Sequence, residues 1–216
     1  MTSLDPDITG PSALLRNARL VPVLTIQSVA HAVPLAKALA AGGVRTLEIT
    51  LRTAAGVSAA KVIKAEVPEA IVGLGTVTRA QDLDLCLEMG LSFAFSPGAS
   101  PALLDAAAKA GIDFVPGVQT ASEIMACLER GFDVMKFFPA SQAGGIPTLK
   151  ALAGPFPQVK FCPTGGISED QAATWLKLPN VLAVGGSWLA PTELVEAGDW
   201  DAITARARHS MDLLAA

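Results

Sequence analysis

The sequence predicts an α/β chain folded as a (β/α)8 TIM barrel, with a short helix ahead of the first strand. Three observations carry that expectation. Eight short apolar, strand-like runs recur along the 216 residues, and each is followed by a helix-like stretch. Their starts lie about 20 to 25 residues apart, which suits one βα unit per period. No Gly-x-Gly-x-x-Gly follows the first run, so the rival open sheet lacks its dinucleotide fingerprint; Gly73-Leu-Gly75 leads to Thr76 instead. No Pro/Ser-rich linker or block of charge divides the chain, and residues 1–216 read as one domain.

A short helix around residues 12–17 precedes the first run, 20–24. The helical stretch 28–41 contains Pro34, which removes a helix N–H, so the helix either begins later or kinks there. Gly42 and Gly43 end it, and runs 46–50 and 71–75 follow. Gly90 leads into run 93–96, and Ser100-Pro101 then sets proline at a first helical position. Gly111 precedes run 114–116. Thr120-Ala-Ser-Glu123 fits a capping box, where hydroxyl and carboxyl satisfy orphan helix N–H groups. Gly131 leads to run 134–138. Run 159–163 is followed by a second capping box, Ser168-Glu-Asp-Gln171, and run 181–185 completes the set.

Composition excludes several classes of function. Hydrophobic residues make up 51% and charged residues 17%, the reverse of a disordered chain. A net charge of −4 with scattered basic residues offers no stripe for nucleic acid. No uncharged apolar run approaches the roughly 20 residues that span a bilayer. Residues 1–11 carry two Asp and no basic residue before an apolar run, so no secretory leader is expected. Cys86, Cys127 and Cys162 are odd in number, widely spaced and set among apolar neighbours, as buried thiols are. These features fit a cytoplasmic protein. His31 and His209 lie in helix-like stretches without a second ligand at i+3 or i+4, so no metal site is expected.

In a barrel of this kind, chemistry sits at the C-terminal ends of the strands. Alternation in Thr46-Leu-Glu-Ile-Thr50 sends Leu47 and Ile49 towards the helices and Glu48 and Thr50 inward. An inward carboxylate is costly unless paired, and Arg52 just beyond the strand is the partner expected from sequence. A purely structural ion pair is the plainer alternative. Lys136 stands in a strand among Val134, Met135, Phe137 and Phe138, whereas most lysines fall on helix faces or turns. Lys160 is also strand-borne, but near the start of its strand, where a long side chain reaches water. Apolar surroundings disfavour an ammonium, and a guanidinium such as that of Arg52 would disfavour it again. The free amine is the form that attacks a carbonyl to make a Schiff base. Glu48 is suited to proton transfer.

Two Gly-Gly elements follow the last two strands, Thr164-Gly165-Gly166 and Gly185-Gly186-Ser187. Each alone reads as a turn. At two successive strand ends they suggest an anion site built from backbone N–H groups, with the Ser187 hydroxyl as a further donor.

Six runs together resemble the 2-keto-3-deoxy-6-phosphogluconate aldolase family: Leu47-Glu-Ile-Thr-Leu-Arg52, Gly73-Leu-Gly-Thr76, Phe95-Ser-Pro-Gly98, Lys136-Phe-Phe-Pro-Ala140, Phe161-Cys-Pro-Thr-Gly-Gly-Ile167 and Gly185-Gly-Ser-Trp-Leu189. The resemblance extends from about Arg19 to the C-terminus. It implies a class I aldolase that splits the phosphorylated keto acid into pyruvate and glyceraldehyde 3-phosphate and also acts on 4-hydroxy-2-oxoglutarate. Lys136 would form the Schiff base and Glu48 would shuttle protons. Arg52 and Thr76 would hold the pyruvate carboxylate, Pro97, Phe138 and Thr164 would line the pocket, and Gly165, Gly166, Gly185, Gly186 and Ser187 would receive the phosphate. The family is trimeric and uses neither metal nor cofactor. Ser141 and Leu74 depart from the family pattern, where an acidic and a smaller residue are common; both bear on substrate preference. Alternatives are a sugar-phosphate isomerase or epimerase with Glu48 as base, an aldolase for the galactonate epimer, a non-catalytic sugar-phosphate binder and a metal-dependent aldolase.

Overall fold

The computed structural model describes residues 10–215, so the expectation about a leader falls mostly outside it. In chain order the elements are α1 (Gly10–Ala18), β1 (Leu20–Leu24), a 3-10 turn (Val29–His31), α2 (Ala32–Ala41), β2 (Thr46–Thr50), α3 (Gly56–Glu66), β3 (Ile71–Gly75), α4 (Ala80–Glu88), β4 (Phe93–Phe95) and α5 (Pro101–Ala110). Then come β5 (Asp113–Val115), β6 (Gly117–Val118), α6 (Ala121–Leu128), β7 (Val134–Phe137), α7 (Gly145–Ala153), β8 (Lys160–Phe161), α8 (Glu169–Leu176), β9 (Val184–Gly186), α9 (Thr192–Ala197) and α10 (Trp200–Ala215). Pro34 falls in the first turn of α2, where its missing N–H has no helical partner to lose; the helix begins later and does not kink.

All strands pair in parallel, in a six-stranded sheet of order β5-β4-β3-β2-β1-β9 and a three-stranded sheet β6-β7-β8. This is a parallel-strand α/β fold with a curled sheet. The expected fifth strand is broken in two by Pro116, which has no N–H to donate. Its first half pairs with β4 and its second with β7. The expected seventh strand shortens to two residues, with Pro163 beyond it, although Cys162 N still donates to Met135 O at 2.8 Å. The eighth starts later than expected: Val181 makes only an isolated bridge to Phe161.

Alternation along the strands separates two apolar clusters. The larger packs Leu47, Ile49, Val72, Leu74 and Ala94 against helix residues such as Ile63 and Leu83. The smaller collects Val21, Phe93, Phe95, Val115, Val134 and Cys162 from the opposite strand faces, together with fully buried Leu15 of α1. Helix α1 thus plugs the N-terminal end of the strands. Burying one leucine there contributes roughly 1.5–3 kcal/mol.

Helix starts follow the expected chemistry with one difference. Thr120 Oγ1 accepts from Glu123 N while Glu123 accepts from Thr120 N, a complete capping box. At α8, Gln171 accepts from Ser168 N, but the Ser168 hydroxyl donates to Asp170. Ser100 Oγ accepts from Leu103 N, with Pro101 at the first helical position.

Candidate active site

Lys136 on β7 and Glu48 on β2 meet across the interior. Lys136 Nζ donates to Glu48 Oε1 at 2.8 Å and Oε2 at 3.0 Å. The lysine side chain is 3% exposed and that of Glu48 is 0% exposed, so water does not screen the pair. The rings of Phe95 and Phe138 lie with their centroids 5.4 Å from Nζ, close enough for cation–π attraction. Either charge alone at this depth would cost several kcal/mol; together they offset one another. Amine nitrogen and carboxylate oxygen are 2.8 Å apart, a hydrogen-bond distance across which a proton can pass directly.

The partner of Glu48 corrects the sequence expectation. Arg52 makes no ion pair with it; Lys136 takes both carboxylate oxygens. Glu48 points inward from the middle of β2, whereas Arg52 lies beyond the strand end, exposed at the rim. Among the described residues, then, the group at Nζ is a carboxylate and not a guanidinium. Arg52 Nε donates instead to Thr76 Oγ1 at 3.1 Å, leaving both terminal nitrogens of the fork without a protein partner among the described residues. Thr76 is held at φ +62°, a left-handed conformation that is costly for a β-branched residue.

Pro97 and Phe138 are half-buried, and of the two the Phe138 ring is the one that lies against Nζ. The Pro97 backbone lies so near Gly117 that a Cβ there would come within 2.4 Å of the Pro97 carbonyl carbon. Ser96 Oγ fixes the same turn, donating to Gly98 O at 2.6 Å and accepting from Gly117 N at 3.2 Å. Thr164 is buried and bridges to Gly185, whose missing side chain leaves room for the Thr164 hydroxyl. That bridge sets the two glycine elements side by side. Gly165 and Gly166 take φ +99° and +71°, and their carbonyls accept from Ser141 N at 3.0 Å and Ser141 Oγ at 2.7 Å. Their N–H groups find no partner among the described residues. Gly186 lies flat against the Trp188 ring, and Ser187 is exposed. Acidic Glu169 and Asp170 occupy the first turn of α8.

Sequence reading missed Thr25, and it gave no role to Phe95 and Ser96 although both stand in the Phe95-Ser-Pro-Gly98 run. Thr25 Oγ1 and Thr50 Oγ1 share a hydrogen bond at 3.1 Å, two residues along β2 from Glu48. Strand alternation through Phe93 and Phe95 could have found the aromatic neighbour; the two hydroxyls carry no sequence signal of their own. A recess of about 240 Å³ beside the mouth is lined by Thr25, Ile26, His31, Thr192, Val195 and Glu196 among others, and contains neither Lys136 nor Glu48. The three cysteines are free and buried, and burial pushes each thiol up to about 12. His31 stacks edge-on with Trp200 and His209 is exposed on α10. Among the described residues, no helix is long and apolar enough to cross a membrane.

The KDPG and KHG aldolase family model matches residues 12–206. The chain belongs to this family. It is 53% identical over 192 residues to the 2-dehydro-3-deoxy-phosphogluconate aldolase of Pseudoalteromonas atlantica, covering 89% of each chain. It is 50% identical over 204 residues to the KHG/KDPG aldolase of Escherichia coli K12, covering 94% of this chain and 96% of that one. Among solved structures, the KDPG aldolase of Legionella pneumophila superposes with a TM-score of 0.91 at 43% identity, covering 94% of this chain and 98% of that one. That enzyme was captured with pyruvate at low pH as a covalent carbinolamine intermediate.

Proposed function

We propose that the protein is a class I aldolase in which Lys136 and Glu48 reversibly cleave 2-keto-3-deoxy-6-phosphogluconate to pyruvate and glyceraldehyde 3-phosphate, and which also accepts 4-hydroxy-2-oxoglutarate. The observation that carries this reading is the buried Nζ–carboxylate pair, with both oxygens within 3.0 Å of the amine. Passing one proton from Nζ to Glu48 yields a free amine and a carboxylic acid, and the pair stays neutral overall. The amine adds to the C2 carbonyl. The carbinolamine then loses its hydroxyl as water, using the proton that Glu48 holds, and an iminium remains. Glu48, again a carboxylate, takes the C4 hydroxyl proton while the C3–C4 bonding electrons flow into the iminium. Glyceraldehyde 3-phosphate leaves, the enamine is protonated at C3, and hydrolysis frees pyruvate and the amine. The iminium is the electron sink, so no metal or cofactor has a part.

Arg52 and Thr76 bind the substrate carboxylate; the Nε–Thr76 bond orients the fork and leaves two nitrogens for a bidentate grip. Pro97, Phe138 and Thr164 line the pocket. Gly165, Gly166, Gly185, Gly186 and Ser187 take the phosphate, a role supported by the unpaired N–H groups of the first glycine pair. The two sheets close as one eight-stranded barrel and a single domain. Support comes from the shared Pro116 crossing and the bridges Phe161–Val181 and Thr164–Gly185. A cytoplasmic homotrimer follows from the family resemblance, and the free thiols fit a reducing compartment.

Borohydride trapping tests the chemistry. Treated with pyruvate and borohydride, the protein gains a reduced pyruvate adduct on the Lys136 peptide. An adduct on Lys160, or none, overturns the reading.

A further inference from the structure

We propose that Gly75 is a positioning residue for Glu48: its missing side chain is the slot in which the carboxylate lies to reach Lys136. This deepens the aldolase reading and rests on it for its kinetic consequence. Gly75 ends β3 directly opposite Thr50 of β2. A Cβ at Gly75 would sit 2.1 Å from Glu48 Oε1, 2.5 Å from Cγ and 2.7 Å from Cδ. Gly75 is not among the residues with positive φ, so the backbone here demands no glycine. What is demanded is the empty space. The colliding group is the end of a flexible side chain, so an added methyl moves the carboxylate before it breaks the fold. Glu48 is fully buried and spends both oxygens on Nζ, so any such movement comes at the expense of that contact.

Gly73 supplies the contrast on the same strand. Gly73 faces Glu48 in the ladder, yet the three atoms nearest a Cβ there all belong to the Phe93 ring, the first at 2.3 Å, and none to Glu48 or Lys136. One glycine accommodates packing and the other accommodates a reacting group.

The test is a cycle of Gly75→Ala, Glu48→Ala and the double variant, with Gly73→Ala as control. Each is followed by thermal melting, by exchange of pyruvate methyl protons with heavy water, and by the end-point of borohydride trapping at Lys136. Gly75→Ala is expected to slow exchange on the order of a hundredfold, as loss of a positioned acid–base group does, while the adduct still accumulates at Lys136. Gly73→Ala should lower Tm and keep its exchange rate per folded molecule. Glu48→Ala deletes all three colliding atoms, so adding Gly75→Ala to it should change neither exchange nor Tm. If Gly75→Ala fails to fold, recovery of folding in the double variant supports the contact equally. Wild-type exchange in Gly75→Ala, or an undiminished effect of Gly75→Ala on top of Glu48→Ala, overturns the proposal. A wild-type protein that neither traps nor exchanges pyruvate overturns the aldolase reading instead, and the melting cycle still decides whether Gly75 makes room for Glu48.

Discussion

The two sheets divide the labour unequally. The six-stranded sheet is regular: β2 and β3 pair over five consecutive residues, and Glu48 sits in the middle of that ladder. The three-stranded sheet is shorter, with Pro116, Pro139 and Pro163 just outside its strands, yet it carries Lys136 and leads into the Gly165-Gly166 turn, while Gly185 and Gly186 pair with β1 in the larger sheet. The difference teaches that Glu48, the proposed acid–base group, is held at the centre of a long, fully paired ladder. Lys136, the proposed nucleophile, sits instead in a sheet of short strands, whose last strand runs into a Gly165-Gly166 turn with N–H groups unpartnered among the described residues.

The sharpest way to break this contrast is Lys136→Arg. It keeps a cation opposite Glu48 but cannot form an iminium, so kcat/KM should fall about 10⁴-fold or more, as for loss of other covalent nucleophiles. A variant that keeps a tenth of the activity would point back to an isomerase with an electrostatic lysine. Arg52→Lys, at the rim of the regular sheet, replaces a bidentate fork by a point charge. Losing one charge-assisted hydrogen bond of about 1.5–3 kcal/mol should raise KM for pyruvate-containing substrates roughly 10- to 150-fold with a smaller change in kcat. Steady-state kinetics separates the two; an unchanged KM removes Arg52 from the carboxylate site.

Leu15→Ala probes the floor that both sheets share. The lost contacts and the cavity should cost about 2–5 kcal/mol in denaturant unfolding, with kcat per folded molecule unaltered. A selective loss of kcat would tie the plug to the chemistry. The smallest effect belongs to Asp82. Burial pushes its carboxyl up, but bonds from the Arg79 guanidinium and from the N–H groups of Thr78 and Arg79 outweigh this and hold it below its ordinary value. Because the folded value is the lower one, the stability it adds is present above about pH 4 and lost as pH falls through the folded value. Wild type and Asp82→Asn should therefore converge in Tm on acidification; parallel curves would contradict the assignment.

Much of this was legible before any coordinates. The first three strands match the sequence reading to the residue. The inward direction of Glu48 and the burial of Lys136 follow from the same alternation. Proline defeated the reading of the fifth strand, since Pro116 both ends one pairing and begins another. The partner of Glu48 was misassigned for a different reason. Arg52 is four residues away along the chain, whereas Lys136 is 88 residues away and comes near only when the sheet curls. The value of Gly75 was invisible for a related reason: what a glycine leaves room for depends on the strand it faces.

The plug formed by α1 has a kinetic consequence. Leu15 is fully buried among inward side chains near the N-terminal ends of the strands, so in the proposed reaction reactants and products pass at the C-terminal ends. Pyruvate is still tethered as the enamine when the carbon–carbon bond has parted, so the aldehyde must depart first and water must follow it in. On the proposed mechanism turnover is sequential in departure, and the aldehyde product should inhibit by lingering over a pyruvate that has yet to be released.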